Sequence, residues 1–333
     1  MDIILQTFGT LISRDGEGFV VSNKNGTQRI PAQDVSSLQV SRGVQITSDA
    51  IMLAISHEVE VLFINKSGDP LGRVWSSRYG SVSTIRKGQL LFCASKQAME
   101  WVKSTLSKKV LNQQAMLLSL SQTNSHIRQD ADRAISRMEE CRLKIQGIQG
   151  NSIRDVEHSL RGWEGQASKI YFETCDLTLP QQFRFGGRSQ HPAMNVANAL
   201  LNYAYGMLYG KIEGSLIRAG IDPYLGVMHR DQYNRPVLVY DVIEEYRIWA
   251  DYVAMHILSQ CILTHEYFSV RDDGSYWLEP LGRRVLIQSL NDYLDEIINM
   301  DGLSRTRSTH LDLAMQRLAQ LFKGQEDANR KKV

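Results

Sequence analysis

Glu164, His229 and Glu244 are the side chains of this 333-residue sequence whose types and settings could do chemistry together. Glu164 falls inside an apolar series at helical spacing, Ile153, Val156, Leu160, Trp163, Ala167 and Ile170. It is four residues after Leu160 and three before Ala167, so it borders the apolar stripe rather than pointing fully to water. A carboxylate in that setting is costly unless it is paired or bound to a cation, which leaves a salt-bridged helical Glu or a ligand as its readings. His229 follows the short run Leu225–Met228, and is either a hydrogen-bonded core residue or a ligand. Asp241-Val242-Ile243-Glu244 opens a further helix, where Asp241 as N-cap and Glu244 three residues on would make a capping box. Together, one imidazole and two or three carboxylates form a hard, oxygen-rich set suited to Mg²⁺ or Mn²⁺ and free of the thiolates that softer metals favour. An ion held that way polarises a phosphate, lowers the pKa of an attacking hydroxyl and steadies the leaving oxygen. Periodicity alone leaves open whether the three residues meet.

The elements that must position them change character along the chain. Residues 1–85 read as a β-rich domain, with strands at Ile3–Phe8, Gly18–Ser22, Val35–Val40, Glu60–Ile64 and Gly72–Ser76. Asn25-Gly26, Arg42-Gly43 and Gly68-Asp69-Pro70 supply turns, and one helix over Ser48–His57 interrupts the strands. Residues 86–323 read as mostly α-helical, giving an α+β chain of two domains, and 324–333 as a frayed tail. Ile127, Ala131, Ala134, Ile135 and Met138 mark one helix, and Ser152 with Asp155 caps the helix that carries Glu164. A third runs from Asn195 to Ala219, and a last one carries Leu311, Ala314, Met315, Leu318 and Phe322. Pro236–Tyr240 reads as a strand-like run. Leu179–Pro192 reads as a solvated loop or as a mobile arm near a phosphate backbone, with Arg184 and Arg188 its only charges.

Composition is that of an ordinary globular protein, 43% apolar and 22% charged, with a formal charge of only +2. A nucleic-acid surface would therefore have to come from sorting charge onto one face. Between Leu179 and Arg235 the basic residues Arg184, Arg188, Lys211, Arg218, Arg230 and Arg235 outnumber Glu213, Asp222 and Asp231. Of these, Arg184, Arg188 and Arg230 are the candidates for DNA phosphates, while Lys211 and Arg218 read as solvating a helix face. Cys93, Cys141, Cys175 and Cys261 form no C-x-x-C pair, which argues against a zinc cage or a disulfide scaffold. The first residues lack the pattern of a signal peptide and no stretch is apolar enough to span a membrane, so a soluble, cytoplasmic protein is expected.

Four ordered motifs carry a resemblance to a known family. Trp163-Glu164-Gly165-Gln166-Ala167-Ser168-Lys169-Ile170-Tyr171-Phe172 resembles the E-G-x-A-x-x-x-Y-F signature of the CRISPR-associated integrases, the first of the Cas proteins. Asn198–Tyr205 is similar to that family's N-A-L-L-x-x-x-Y helix, and Ala219–His229 to its G-L-D-P-x-x-G-x-x-H turn. Asp241–Arg247 resembles its D-L-M-E-x-F-R segment, with Ile248 where the family often has Pro. Ile30-Pro31, Asp34-Val35, Gly43, Ile46-Thr47 and Val59–Gly72 resemble its β-domain, so the likeness covers nearly the whole chain.

The resemblance implies a β-rich domain that pairs two subunits and a helical catalytic domain. It implies that Glu164, His229 and Glu244 are both catalytic residues and ligands of Mg²⁺ or Mn²⁺, with Asp241 and Glu245 near enough to compete for the last place. It further implies an endonuclease and integrase, joining the 3′-hydroxyl ends of captured DNA to the CRISPR repeat by transesterification. DNA, a second copy of the chain and the second small subunit of the adaptation complex are the partners implied. A branched-DNA repair nuclease without a CRISPR role and a non-catalytic DNA-binding scaffold are the alternatives.

Overall fold

A computed structural model describes residues 2–35, 37–57, 59–65, 70–74, 82–123, 125–189, 192–230, 232–300 and 302–330. Gly68 and Asp69 of the expected turn, Trp75 and Ser76 of the expected strand, and Asp231 lie outside the described residues. The chain divides into two compact units, Met1–Gly80 and Ser81–Val333.

The first unit begins with β1 (Asp2–Leu5), β2 (Leu11–Asp15), β3 (Gly18–Asn23), β4 (Gly26–Pro31), β5 (Ser37–Ser41) and β6 (Gln45–Ile46). It continues with α1 (Ser48–Ser56), β7 (Glu60–Ile64) and β8 (Pro70–Arg73). Two four-stranded sheets result, ordered β1-β5-β7-β8 and β4-β3-β2-β6. In the first, β1, β5 and β7 run parallel and β8 returns antiparallel. The Asn25-Gly26 turn joins β3 to β4, where Asn23 faces Gly26. Thr47 caps α1 by accepting from the Ala50 amide at 3.2 Å, and Leu53 and Ala54 pack into a core with Ile12, Phe19, Leu38 and Val61. The strand expected to reach Phe8 ends at Leu5, and β2 and β4 have no counterpart among the expected strands. In β4 only Ile30 is buried, because an edge strand has one covered neighbour and needs little apolar alternation.

The second unit is helical: α2 (Val82–Cys93), α3 (Lys96–Thr123), α4 (Arg128–Gly147), α5 (Ile153–Thr178), α6 (Val196–Arg218) and α7 (Val237–Ser259). After the short hairpin β9 (Phe268–Val270) and β10 (Tyr276–Leu278) come α8 (Pro280–Asp295), the hairpin β11 (Ile297–Met300) and β12 (Leu303–Thr306), and α9 (Arg307–Arg330). The Asp155 carboxylate accepts from the Ser152 amide at 3.0 Å and starts α5 where the capping box placed it. Helix α7 packs against α3 and α6 and is buried on nearly every side. Its mean hydropathy all round is that of a central helix rather than an amphipathic one. Helices α2 and α9 touch at backbone distance: a Cβ at Gly88 would lie 1.8 Å from the Phe322 carbonyl oxygen, so only glycine fits there.

Four expectations change. Pro236–Tyr240 is no strand: Val237 opens α7 directly after Pro236, and a short buried apolar run reads alike in either state. Asp241 consequently lies in the second turn of α7 and caps nothing. The tail expected from residue 324 continues α9 to Arg330, with Glu326 buried. The segment from Leu179 is partly solvated but no free arm: Gln181, Gln182 and Arg184 are exposed while Phe183 and Phe185 are buried. The Asp176 carboxylate accepts from the amides of Phe185 and Gly186 at 2.5 and 3.3 Å, and Gln190 and His191 lie outside the described residues. No helix among the described residues is long and apolar enough to cross a membrane.

Candidate active site

Glu164 and Glu244 come from different helices, α5 and α7, and meet on the ammonium group of a lysine from a third, α3. Lys109 Nζ donates to Glu164 Oε1 and, at 2.5 Å, to Glu244 Oε2. Ser168, one turn along α5, donates to the same Glu164 oxygen at 2.8 Å. Arg247, one turn along α7, forks onto Glu244, its Nε reaching Oε2 and its Nη2 reaching Oε1, both at 3.0 Å. The guanidinium lies 4.9 Å over the Tyr205 ring, which fixes its plane. Two carboxylates and two cations thus balance to zero in a site where the Lys109 and Glu244 side chains are only 7% and 8% exposed. That balance is what makes the burial tolerable, since an unpaired charge there would lose several kcal/mol of hydration (order of magnitude). Burial by itself raises the Glu244 carboxyl pKa, but Arg247 and Lys109 outweigh it and hold the group at about 2. For Lys109 burial pulls down, and Glu244 and Glu164 overcome it and hold the ammonium above its ordinary pKa.

His229 is held by Asp241, which lies one turn before Glu244 on α7. Asp241 Oδ1 accepts from the His229 amide at 3.0 Å and lies 2.6 Å from ring Nδ1. Its Oδ2 accepts from the amides of Val227 and Met228 at 2.7 and 3.0 Å. A single carboxylate at 2% exposure therefore shapes the whole turn before α7 and orients the imidazole, leaving Nε2 as the nitrogen available to a ligand. Gly226 completes that turn, because a Cβ there would lie 2.3 Å from the His229 carbonyl oxygen. Glu245 points elsewhere and pairs with Lys108 at 2.9 Å. Of the three acidic residues Asp241, Glu244 and Glu245, only Glu244 joins Glu164.

The fit to a divalent ion is accordingly divided. Two hard oxygen donors converge on one point, and a cation stands at it, the ammonium of Lys109. The imidazole does not close that set, and among the described residues no three His, Cys, Asp or Glu side chains gather closely enough to hold an ion. The site suits a hard metal in donor type and, for the two carboxylates, in position.

His229 and Arg230 also line a cleft of about 830 Å³ with Leu90, Cys93, Arg154 and Glu157. The three candidate phosphate arginines separate here. Arg230 is exposed and touches Glu157 at 3.5 Å, while Arg184 is exposed and lines a shallow depression with His126 and Asp130. Arg188 is anchored inside the protein. Its guanidinium donates to Ser189 O, Asn198 Oδ1 and Asn202 Oδ1 at 2.9, 2.7 and 2.9 Å, and lies 5.2 Å over Tyr205. It fastens the 184–189 segment onto α6, so its charge is directed inward. Nor do Lys211 and Arg218 merely solvate a face: burial pulls Lys211 down to about 8, and Arg218 pairs with Asp312 at 2.6 Å.

Lys109 is the site residue that helical periodicity passed over, and a signal for it exists. Val102, Leu106, Lys109, Gln113 and Met116 recur at three- and four-residue steps, and all are buried. A lysine on such a stripe requires a carboxylate partner.

Comparison with known proteins agrees with this architecture. Residues 3–292 match the model of the family described as CRISPR associated protein Cas1. The CRISPR-associated endonuclease Cas1 1 of Archaeoglobus fulgidus is 29% identical over 307 residues, 89% of this chain and 88% of that protein. Among solved structures, a casposase bound to its integration product has the same fold (TM-score 0.81, 20% identity, 97% of this chain and 90% of that one). A chain of a Cas6-RT-Cas1–Cas2 complex does as well (TM-score 0.78, 21% identity, 98% of this chain and 35% of that one).

Proposed function

The chain belongs to the CRISPR associated protein Cas1 family, and from that premise we propose that it is a DNA endonuclease and integrase of CRISPR adaptation. In this reading it joins the 3′-hydroxyl ends of captured DNA to the CRISPR repeat by transesterification. The observation that carries it is the convergence of Glu164 and Glu244, from two different helices, on one cationic point. The Archaeoglobus relative is named an endonuclease, which supports the same class of chemistry. Glu164, His229 and Glu244 would hold Mg²⁺ or Mn²⁺. Such an ion, when bound, polarises the phosphate and stabilises charge on the leaving oxygen.

The chain's own residues do the positioning. Arg247 fixes the Glu244 carboxylate in one plane, Ser168 holds the Glu164 oxygen, and Asp241 keeps the imidazole in a single orientation. Arg154 and Arg230 offer cationic tips in the cleft to which a phosphate backbone can bind. The test is strand transfer of a labelled DNA fragment into a plasmid bearing a CRISPR repeat. Joined product is expected with Mg²⁺ or Mn²⁺ and none after chelation. Joining that persists in chelator would overturn the metal dependence, and cutting of branched DNA with no repeat preference would favour a repair nuclease.

Partners follow from the same reading. Two copies pair through the β-rich unit, whose sheets end in the edge strands β1, β8, β4 and β6, and the second small subunit of the adaptation complex bridges such pairs. The chain works in the cytoplasm, where CRISPR DNA lies. Light scattering at micromolar concentration is expected to give a dimer, and a monomer would count against the pairing.

The arginines make a separate prediction. Arg230→Ala is expected to lower the slope of log affinity against log salt on duplex DNA by roughly 0.9, the signature of one lost phosphate contact. Arg188→Ala leaves that slope at the parent value and lowers the melting temperature, because its guanidinium bonds within the fold. Equal slopes for parent and Arg230→Ala would place the DNA path elsewhere.

A further inference from the structure

We propose that Lys109 is a placeholder cation, which holds the Glu164–Glu244 pair closed in the metal-free chain and must leave when a divalent cation enters. This rests on the reading that those two carboxylates bind the metal. The argument is one of charge and place. Glu164, Glu244, Lys109 and Arg247 already sum to zero, and the neighbouring Asp251 and Arg188 add one charge of each sign. Adding a divalent ion to that balance would put two uncompensated positive charges into a site whose Glu244 carboxylate is 8% exposed. Withdrawal of one cation halves that excess, and the geometry distinguishes the two that touch the pair.

Arg247 forks onto both Glu244 oxygens, sharing Oε2 with Lys109, and is stacked on Tyr205, so its guanidinium is fixed to Glu244 rather than shared with Glu164. Lys109 is the group that touches both carboxylates, and its Nζ stands at the point where their oxygens converge. An ion bridging Glu164 and Glu244 would have to take that position. The lysine stem is unbranched with a single charged end, so the ammonium can withdraw without moving α3.

Mn²⁺ binding to the full chain, followed by electron paramagnetic resonance and by the Mn²⁺-induced rise in melting temperature, tests this without reference to catalysis. Lys109→Met removes the competing charge, so it is expected to bind Mn²⁺ at least tenfold more tightly than the parent. Its metal-free form should melt lower and its Mn²⁺-induced rise should be larger. Lys109→Gln, which can still hydrogen-bond the carboxylates, serves if the methionine variant fails to fold, with the same direction expected. Parent-like or weaker Mn²⁺ binding in the variants would overturn the placeholder while leaving the metal reading intact, provided Glu244→Gln abolishes binding in the parent. If Glu244→Gln leaves parent binding untouched, the metal reading itself fails, and the placeholder with it.

Discussion

His229→Ala is expected to fold and melt within a few degrees of the parent, and to join DNA at least roughly a thousandfold more slowly, about 4 kcal/mol of barrier. The imidazole is 30% exposed, and Asp241, which holds its Nδ1, keeps three backbone donors after the change, so the fold loses little. Glu244→Ala behaves differently, since it removes the carboxylate that Arg247 forks onto and leaves Lys109 with Glu164 alone, and it should lower stability by about 3–5 kcal/mol as well as abolish activity. Loss of activity in that variant therefore says little about catalysis on its own. The His229 variant separates the two effects, measured as strand transfer beside a thermal melt. More than a tenth of parent activity in a well-folded His229→Ala protein would remove the imidazole from the reaction.

Asp241→Ala is expected to lower stability by about 3–5 kcal/mol and to abolish strand transfer, because it leaves three amide donors without their acceptor. A helix N-cap at this position would have lost only about 1 kcal/mol, and the fold would have kept its active site. Asp241→Asn retains one carbonyl oxygen and should fall between parent and Asp241→Ala in stability. Its activity should still be low, since the amide nitrogen that replaces one carboxylate oxygen cannot accept from the turn or the ring. Denaturant unfolding reads the first effect and strand transfer the second. A loss near 1 kcal/mol with activity intact would mean that the turn before α7 holds itself without Asp241.

Helices α4, α5, α6, α7 and α9 of the second unit were legible because they rest on local signals. The Ser152–Asp155 box opens α5, Asn195 caps α6 by accepting from the Asn198 amide at 2.8 Å, and the apolar stripe of α5 repeats at 3.6-residue spacing. Glu164 was legible for the same reason, as a carboxylate on the edge of that stripe. The motifs resembling the CRISPR-associated integrases supplied His229 and Glu244, which periodicity left open. Strand β4 and the long helix α3 escaped, the one because an edge strand shows almost no alternation, the other because Lys103, Lys109 and Gln113 interrupt its buried face.

What tertiary structure alone decided is how charges pair. Lys109 and Glu244 lie 135 positions apart, Lys109 and Glu164 55 apart, and nothing local in any of the three segments names the partner. The same holds for Asp241, whose sequence neighbourhood reads as a helix start and whose actual partners are the amides and ring of a turn twelve to fourteen residues earlier. Local spacing dictates backbone conformation because its forces act within a turn of the chain. Ion pairs and buried acceptors depend on which helices pack together, and that is settled by burying the whole apolar surface at once.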